Sequence, residues 1–208
     1  MSTTDDAPAV APVGTGIADP APLGLAAFAL TTFLLSASNA GWMKTAGTGD
    51  AWLGYAFAYG GLAQLLAGMW EFRNRNVFGA TAFASYGGFW IGLGLWALLV
   101  APKATGLSGV RDLGWILLAF AIFNTYMLII STQVNTAVFL VFLTLEATEI
   151  LLFIGFFTTK TGTGGLITVG GIVGVVTAVV AWYTSAAGVM NGHKGRAVFP
   201  VGKPLMDL

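Results

Sequence analysis

The sequence predicts an all-α membrane protein built from six transmembrane helices, and three observations carry that prediction. Six long apolar stretches occupy the chain from Leu23 to Met190. Of its 208 residues 56% are hydrophobic and 9% charged, and the mean hydropathy is +0.81, whereas a soluble domain carries about 25% charged residues. No segment between the stretches exceeds about a dozen residues, which leaves no room there for a soluble domain.

Roughly 30 Å of hydrocarbon takes about 20 helical residues, which places the spans at about 23–43, 51–70, 77–101, 113–132, 136–158 and 164–190. The first follows Asp19-Pro20-Ala21-Pro22, where Asp19 can cap a helix and proline suits a first turn. The second runs from Ala51 to the polar turn Arg73-Asn74-Arg75-Asn76, and the third from there to Pro102. The fourth begins after Asp112 and stops before Gln133, and the fifth follows Asn135. The sixth begins at Gly164-Gly165 and ends before Asn191-Gly192. These are continuous apolar runs, which argues against the alternating strands of about ten residues that build a β-barrel. The expected organisation is a disordered tail over residues 1–18, one transmembrane domain over 19–190 and a C-terminal tail over 191–208. The first tail lacks the basic and apolar regions of a cleaved signal peptide.

Net charge is zero and no basic run occurs, so nucleic acid has nothing to hold. With no cysteine there is no disulfide, thiolate nucleophile or cysteine-ligated metal, and no metal or cofactor site is expected. Six spans put both termini on one side. That side would hold Arg73, Arg75, Lys194, Arg196 and Lys203, and the other Lys44, Lys103, Arg111 and Lys160, a slight positive-inside bias for cytoplasmic termini. Glycine is abundant, and Gly88-x-x-x-Gly92 and Gly170-x-x-x-Gly174-x-x-x-Ala178 each line up small residues for close packing in the bundle or between subunits. Tryptophans fall mostly at span ends, where an interfacial belt explains most of them.

Four ordered motifs resemble the acetate transporter family, the succinate/acetate permeases. Asp19-Pro20-Ala21-Pro22-Leu23-Gly24-Leu25 is similar to its Asn-Pro-Ala-Pro-Leu-Gly-Leu signature, with Asp19 in place of asparagine. Gly60 to Gly68 with Glu71, the block Phe78 to Trp90, and Arg196-x-x-x-Pro200-x-Gly202 resemble its later motifs. The resemblance implies a homohexamer in the plasma membrane whose protomers each enclose a central passage for acetate, similar monocarboxylates and in some members succinate, as anion or linked to protons. It also implies an apolar constriction of one Phe, one Tyr and one Leu, which by position are Phe28, Tyr86 and Leu145. An apolar ring opposes a hydrated ion by dewetting, while a small solute with a methyl group offsets part of its desolvation there. Thr31, Asn39, Gln64, Thr81 and Ser85 are uncharged polar groups expected along the path or in hydrogen bonds between helices.

Leu145-Glu146-Ala147-Thr148-Glu149 sets two carboxyl groups in an apolar span, where acids are costly and face a cavity or a partner. At 100° per residue Glu149 lies about 40° from Leu145 and one turn along, so it shares the face of Leu145, while Glu146 turns toward a neighbouring helix or subunit. With no basic residue in the spans to pair with them, both are candidate protonation sites, Glu149 beside the gate. A purely structural role through hydrogen bonds is the alternative. A channel for a small neutral solute such as urea is the competing function. An enzyme is disfavoured, because no histidine or cysteine lies in a span to serve a nucleophile.

Overall fold

The structure, a computed structural model, describes residues 16–43 and 50–206. Residues 1–15 of the expected tail, and Lys44 of the charge count, lie outside the described residues. The described chain is helical, in the order α1 (Ala21–Asn39), α2 (Trp52–Phe57), a π-helical stretch (Ala58–Ala63), α3 (Gln64–Arg73), α4 (Val77–Leu99), α5 (Ser108–Ser131), α6 (Thr136–Thr158) and α7 (Leu166–Lys194). Five helices among the described residues, α1, α4 with its extension to Lys103, α5, α6 and α7, are long and apolar enough to cross a bilayer. The remaining span is helical from Trp52 to Arg73 but in three pieces, because its backbone widens into a π-helix around the Gly60-Gly61 pair.

Polarity is distributed inside out, as lipid requires. The largest fully buried side chains are Gln64, Glu71, Asn124, Thr31, Thr177 and Ser131, while Val77, Trp115, Ile122 and Ile129 face outward. Neighbouring helices follow the circuit α4, α3 with the π-helix, α1, α7, α6, α5. Glycine sets the tight contacts: a Cβ on Gly68 would stand 2.5 Å from the Ala84 backbone nitrogen, and one on Gly87 2.7 Å from that of Leu65, so α3 meets α4 backbone to backbone. Between α4 and α5 the circuit is closed by rings instead, with Phe89 and Phe120 at 4.6 Å and Tyr86 against both Phe120 and Phe123. Bulky residues there and small ones elsewhere leave space along the axis.

The two glycine stripes part company. Gly170, Gly174 and Ala178 pack inward, the first against Leu152 and the second against Ser36 and Thr148. Gly88 and Gly92 have no described atom within 4 Å of a Cβ position and look outward.

The described segments before α1 and after α7 meet at one end of the bundle. Asp19 Oδ1 accepts from the Ala21 amide at 3.0 Å, satisfying a free N–H of the first turn, and Ser185 of α7 donates to the Pro22 carbonyl at 2.7 Å. Asn76 and Asn135 cap α4 and α6 by accepting from Gly79 and Val138. The segment after α7 returns as a strap over the start of α6. Asn191 holds it at Val198 and Phe199, Tyr183 donates to Pro200, Ala137 donates to the Val201 carbonyl, and Leu205 donates to Thr132 at the end of α5. At the opposite end Arg111 donates to the carbonyls of Phe156 and Thr159, closing the C-terminus of α6 with a cation.

Candidate functional site

Three cavities lie in line along the bundle axis. The near cavity, toward the chain termini, is lined by Leu25, Gln64, Phe83 and Phe142 among others. The middle cavity is lined by Thr32, Ser36, Trp90, Thr148 and Glu149, and the far cavity by Trp52, Trp96, Leu113 and Phe156. Leu35, Asn39, Leu117 and Leu152 line both middle and far cavities. The order follows from helix direction, since α1, α4 and α6 run the same way and contribute successively later residues to each cavity. Space for water is about 40 Å³ in the middle cavity and 30 Å³ in the near one, too little for a hydrated carboxylate.

Phe28, Tyr86 and Leu145 are the three side chains that line both near and middle cavities, and all are buried. They come from α1, α4 and α6. Phe28 meets the Tyr86 ring edge-on at 5.7 Å. Tyr86 is further wedged by Phe89, Phe120 and Phe123, so its ring has little freedom to turn. What separates the two cavities is therefore an apolar layer one residue thick.

The Tyr86 hydroxyl lies 3.0 Å from Asn124 Oδ1 and 3.2 Å from Glu149 Oε1, donating to this pair of acceptors. Asn124, fully buried on α5, donates in turn to Glu146 Oε2 at 2.7 Å and to the Phe142 carbonyl at 3.0 Å. Thr125 donates to the other Glu146 oxygen at 2.8 Å. Glu149 is thus turned to the axis and Glu146 to α5, the division that their 100° offset along the helix requires. Thr148 exchanges a hydrogen bond with Thr177, joining α6 to α7 at the same level.

Other residues singled out in the sequence fall in different places. Gln64 lines the near cavity and Asn39 the middle and far ones. Thr31 does not reach these cavities: its hydroxyl donates to Ala27 in its own helix, with a longer contact to the Tyr55 carbonyl in α2, just before the π-helix. Thr81 and Ser85 are half-buried and outside the three linings. Within the signature, Asp19 and Pro22 anchor the start of α1, Gly24 lets the Phe83 ring approach, and Leu25 reaches the near cavity. Pro20 and Ala21 form the helix start, and Leu23 faces outward.

Two residues went unremarked in the sequence. Asn124 is a single amide in an apolar helix, which is itself a signal, and Thr32 lies on the face of Phe28 one turn on. The interfacial reading of the tryptophans fails for three of them: Trp52 and Trp90 are buried, and Trp52, Trp90 and Trp96 line cavities. A hydropathy pattern locates span ends but not which face of a helix looks inward.

The chain matches the family model described as GPR1/FUN34/yaaH family over residues 4–203. It belongs to that family. Among curated relatives, acetate permease A of Emericella nidulans is 39% identical over 196 residues, 88% of this chain and 65% of that one. The succinate-acetate/proton symporter SatP of Escherichia coli K12 is 36% identical over 191 residues, 91% of this chain and 97% of that one. The chain spans less than two thirds of the Emericella relative and nearly all of the bacterial one. A solved structure of the bacterial acetate channel SatP superposes with a TM-score of 0.80 at 33% identity, over 89% of this chain and 99% of that one. The GPR1/FUN34/yaaH chain described here is accordingly a multi-pass membrane protein with the SatP fold.

Proposed function

We propose that this protein is a permease for acetate and similar small monocarboxylates, with succinate a further candidate, and that Phe28, Tyr86 and Leu145 form its gate. The observation that carries the reading is that these three side chains line both the near and the middle cavity and part them. The names of the relatives, acetate permease, succinate-acetate/proton symporter and acetate channel, support the same substrate class. They favour a carboxylate over the neutral solute weighed from the sequence, and a transporter over an enzyme.

Along the path Gln64 and Asn39 offer neutral amides, which bind a carboxylate weakly enough to release it. Glu149 stands beside the gate as the candidate protonation site, and Glu146 steadies it through Asn124 and Tyr86. We further infer a homohexamer in the plasma membrane with cytoplasmic termini. The outward Gly88–Gly92 face of α4, free of described neighbours in its own chain, supports contact between subunits.

Uptake of labelled acetate and urea into liposomes containing the purified protein tests the reading. Acetate uptake above protein-free liposomes is expected to follow an imposed inward proton gradient and to disappear in Leu145→Trp, which fills the gate. Urea uptake without acetate uptake would overturn it.

A further inference from the structure

The three gate residues lie on helices that run in one direction, and four residues further along each helix stands a polar side chain: Thr32 after Phe28, Trp90 after Tyr86, Glu149 after Leu145. Four residues advance a helix by about 6 Å and return to nearly the same face. All three line the middle cavity. Thr32, Trp90 and Glu149 are 5%, 2% and 3% exposed, and Thr32 Oγ1, Trp90 Nε1 and Glu149 Oε2 have no hydrogen-bond partner among the described residues. One turn past the apolar ring there is thus a second ring of one hydroxyl, one N–H donor and one carboxyl oxygen, each with bonding capacity unused. A buried polar atom without a partner is destabilising, so three on one cavity mark a site shaped for a ligand.

No lysine or arginine lines the cavity. The titratable groups around Glu149 are Tyr86 on α4, which donates to its other oxygen, Glu146 on α6 itself, and Tyr126 on α5 beyond Tyr86. Helix α1 carries no titratable residue, and α7 none from Leu166 to Val180. A carboxylate anion entering this space would face Glu149 with no cation to offset either charge, and two carboxyl groups at hydrogen-bond distance share a proton rather than both ionise.

We propose that the middle cavity binds a small carboxylic acid in its undissociated form, its O–H on Glu149 Oε2 and its carbonyl oxygen accepting from Thr32 and Trp90. One proton is held between substrate and protein. The O–H bond is on the substrate when it leaves, and if the proton came from Glu149 that side chain is recharged from solution before the next cycle. The proposal rests on the carboxylate reading above, and deepens it by naming the species carried and the residues that hold it.

The test separates charge from protons. Proteoliposomes on a capacitive sensor receive an acetate jump while a lumenal dye reports pH, and protein-free vesicles supply the background of acid crossing the lipid. For the wild type, acidification faster than background without charge displacement is expected. Glu149→Gln, whose amide can hold an anion that brings no proton, should lose at least about tenfold of the excess acidification and gain a charge displacement. Trp90→Phe should stay electroneutral with a half-saturating acetate concentration raised about five- to tenfold, the loss of one hydrogen bond. If Glu149→Gln does not fold, an unchanged half-saturation in Trp90→Phe overturns the proposal and a raised one supports it. Charge displacement in the wild type that Glu149→Gln leaves unaltered overturns this site and spares the carboxylate permease. No acetate signal above background in the wild type overturns both.

Discussion

Asn124→Leu loads the hydrogen-bond network behind the gate most directly. Asn124 is 0% exposed, and leucine has the same branched skeleton with two bulkier methyl groups in place of the amide, so the substitution removes the polarity and adds a modest overpacking cost on top of the lost bonds. Three bonds between helices disappear: the one accepted from Tyr86, and those donated to Glu146 and to the Phe142 carbonyl. Each stripped group has a fallback. Tyr86 keeps Glu149 at 3.2 Å, Glu146 keeps Thr125 at 2.8 Å, and the Phe142 carbonyl keeps its place in the α6 ladder. The loss should therefore follow the average of about 0.6 kcal/mol for a hydrogen bond between membrane helices, about 2 kcal/mol for three, not the larger penalty of groups orphaned in a soluble core. Reversible unfolding in mixed micelles of increasing dodecyl sulfate content, followed by circular dichroism, measures it. Thr125→Val, which breaks a single bond to Glu146, should lose about a third as much. Equal or greater stability in Asn124→Leu, with unchanged helix content, would refute the network as a source of rigidity at Tyr86.

Three further outcomes are expected. Gly68→Ala should destabilise by about 1–3 kcal/mol, because its Cβ would stand 2.5 Å from the Ala84 nitrogen. Gly54→Ala, in open space on the second span, should not destabilise, and the same unfolding assay compares them. Arg111→Met strips the last carbonyls of α6 of two donors and should lower stability by about 1 kcal/mol, with less effect at high salt than at low. Removal of residues 198–208 takes away the Val201 acceptor of Ala137 and the Thr132 tie, so limited proteolysis should cut at the start of α6 in the truncated protein and not in the intact one.

The placement of Glu149 and Glu146 was legible in the sequence, because a 100° step per residue is a property of the helix itself. Once Leu145 is turned to the axis, Glu149 follows, and Glu146 turns to a neighbour. Thr32 and Trp90 were readable by the same arithmetic from Phe28 and Tyr86, yet a lone threonine or tryptophan carries no mark of which way it faces. Thr31 illustrates the difficulty: it neighbours Thr32 in sequence, but its hydroxyl is spent on Ala27 and lies against the second span, not in the cavity. The break in that span was also hidden, since a π-helix has the composition of an α-helix and differs only in which carbonyl each amide finds.

That lipid is this protein's solvent, that Asp19 can serve the free N–H groups at the start of the first span, and that two acids sit within an apolar span all follow from the chain alone, because they depend on local composition and on periodicity along one chain. Only the tertiary structure decided that the Gly170–Gly174 face packs inward while the Gly88–Gly92 face does not, that Asn124 ties Tyr86 to Glu146, and that Phe28, Tyr86 and Leu145 meet between two cavities. Those are relations between segments far apart in sequence. They arise when α3 and α4 close to backbone contact while aromatic rings hold α4 and α5 apart, and the axial space left over is what gives the buried polar groups somewhere to point.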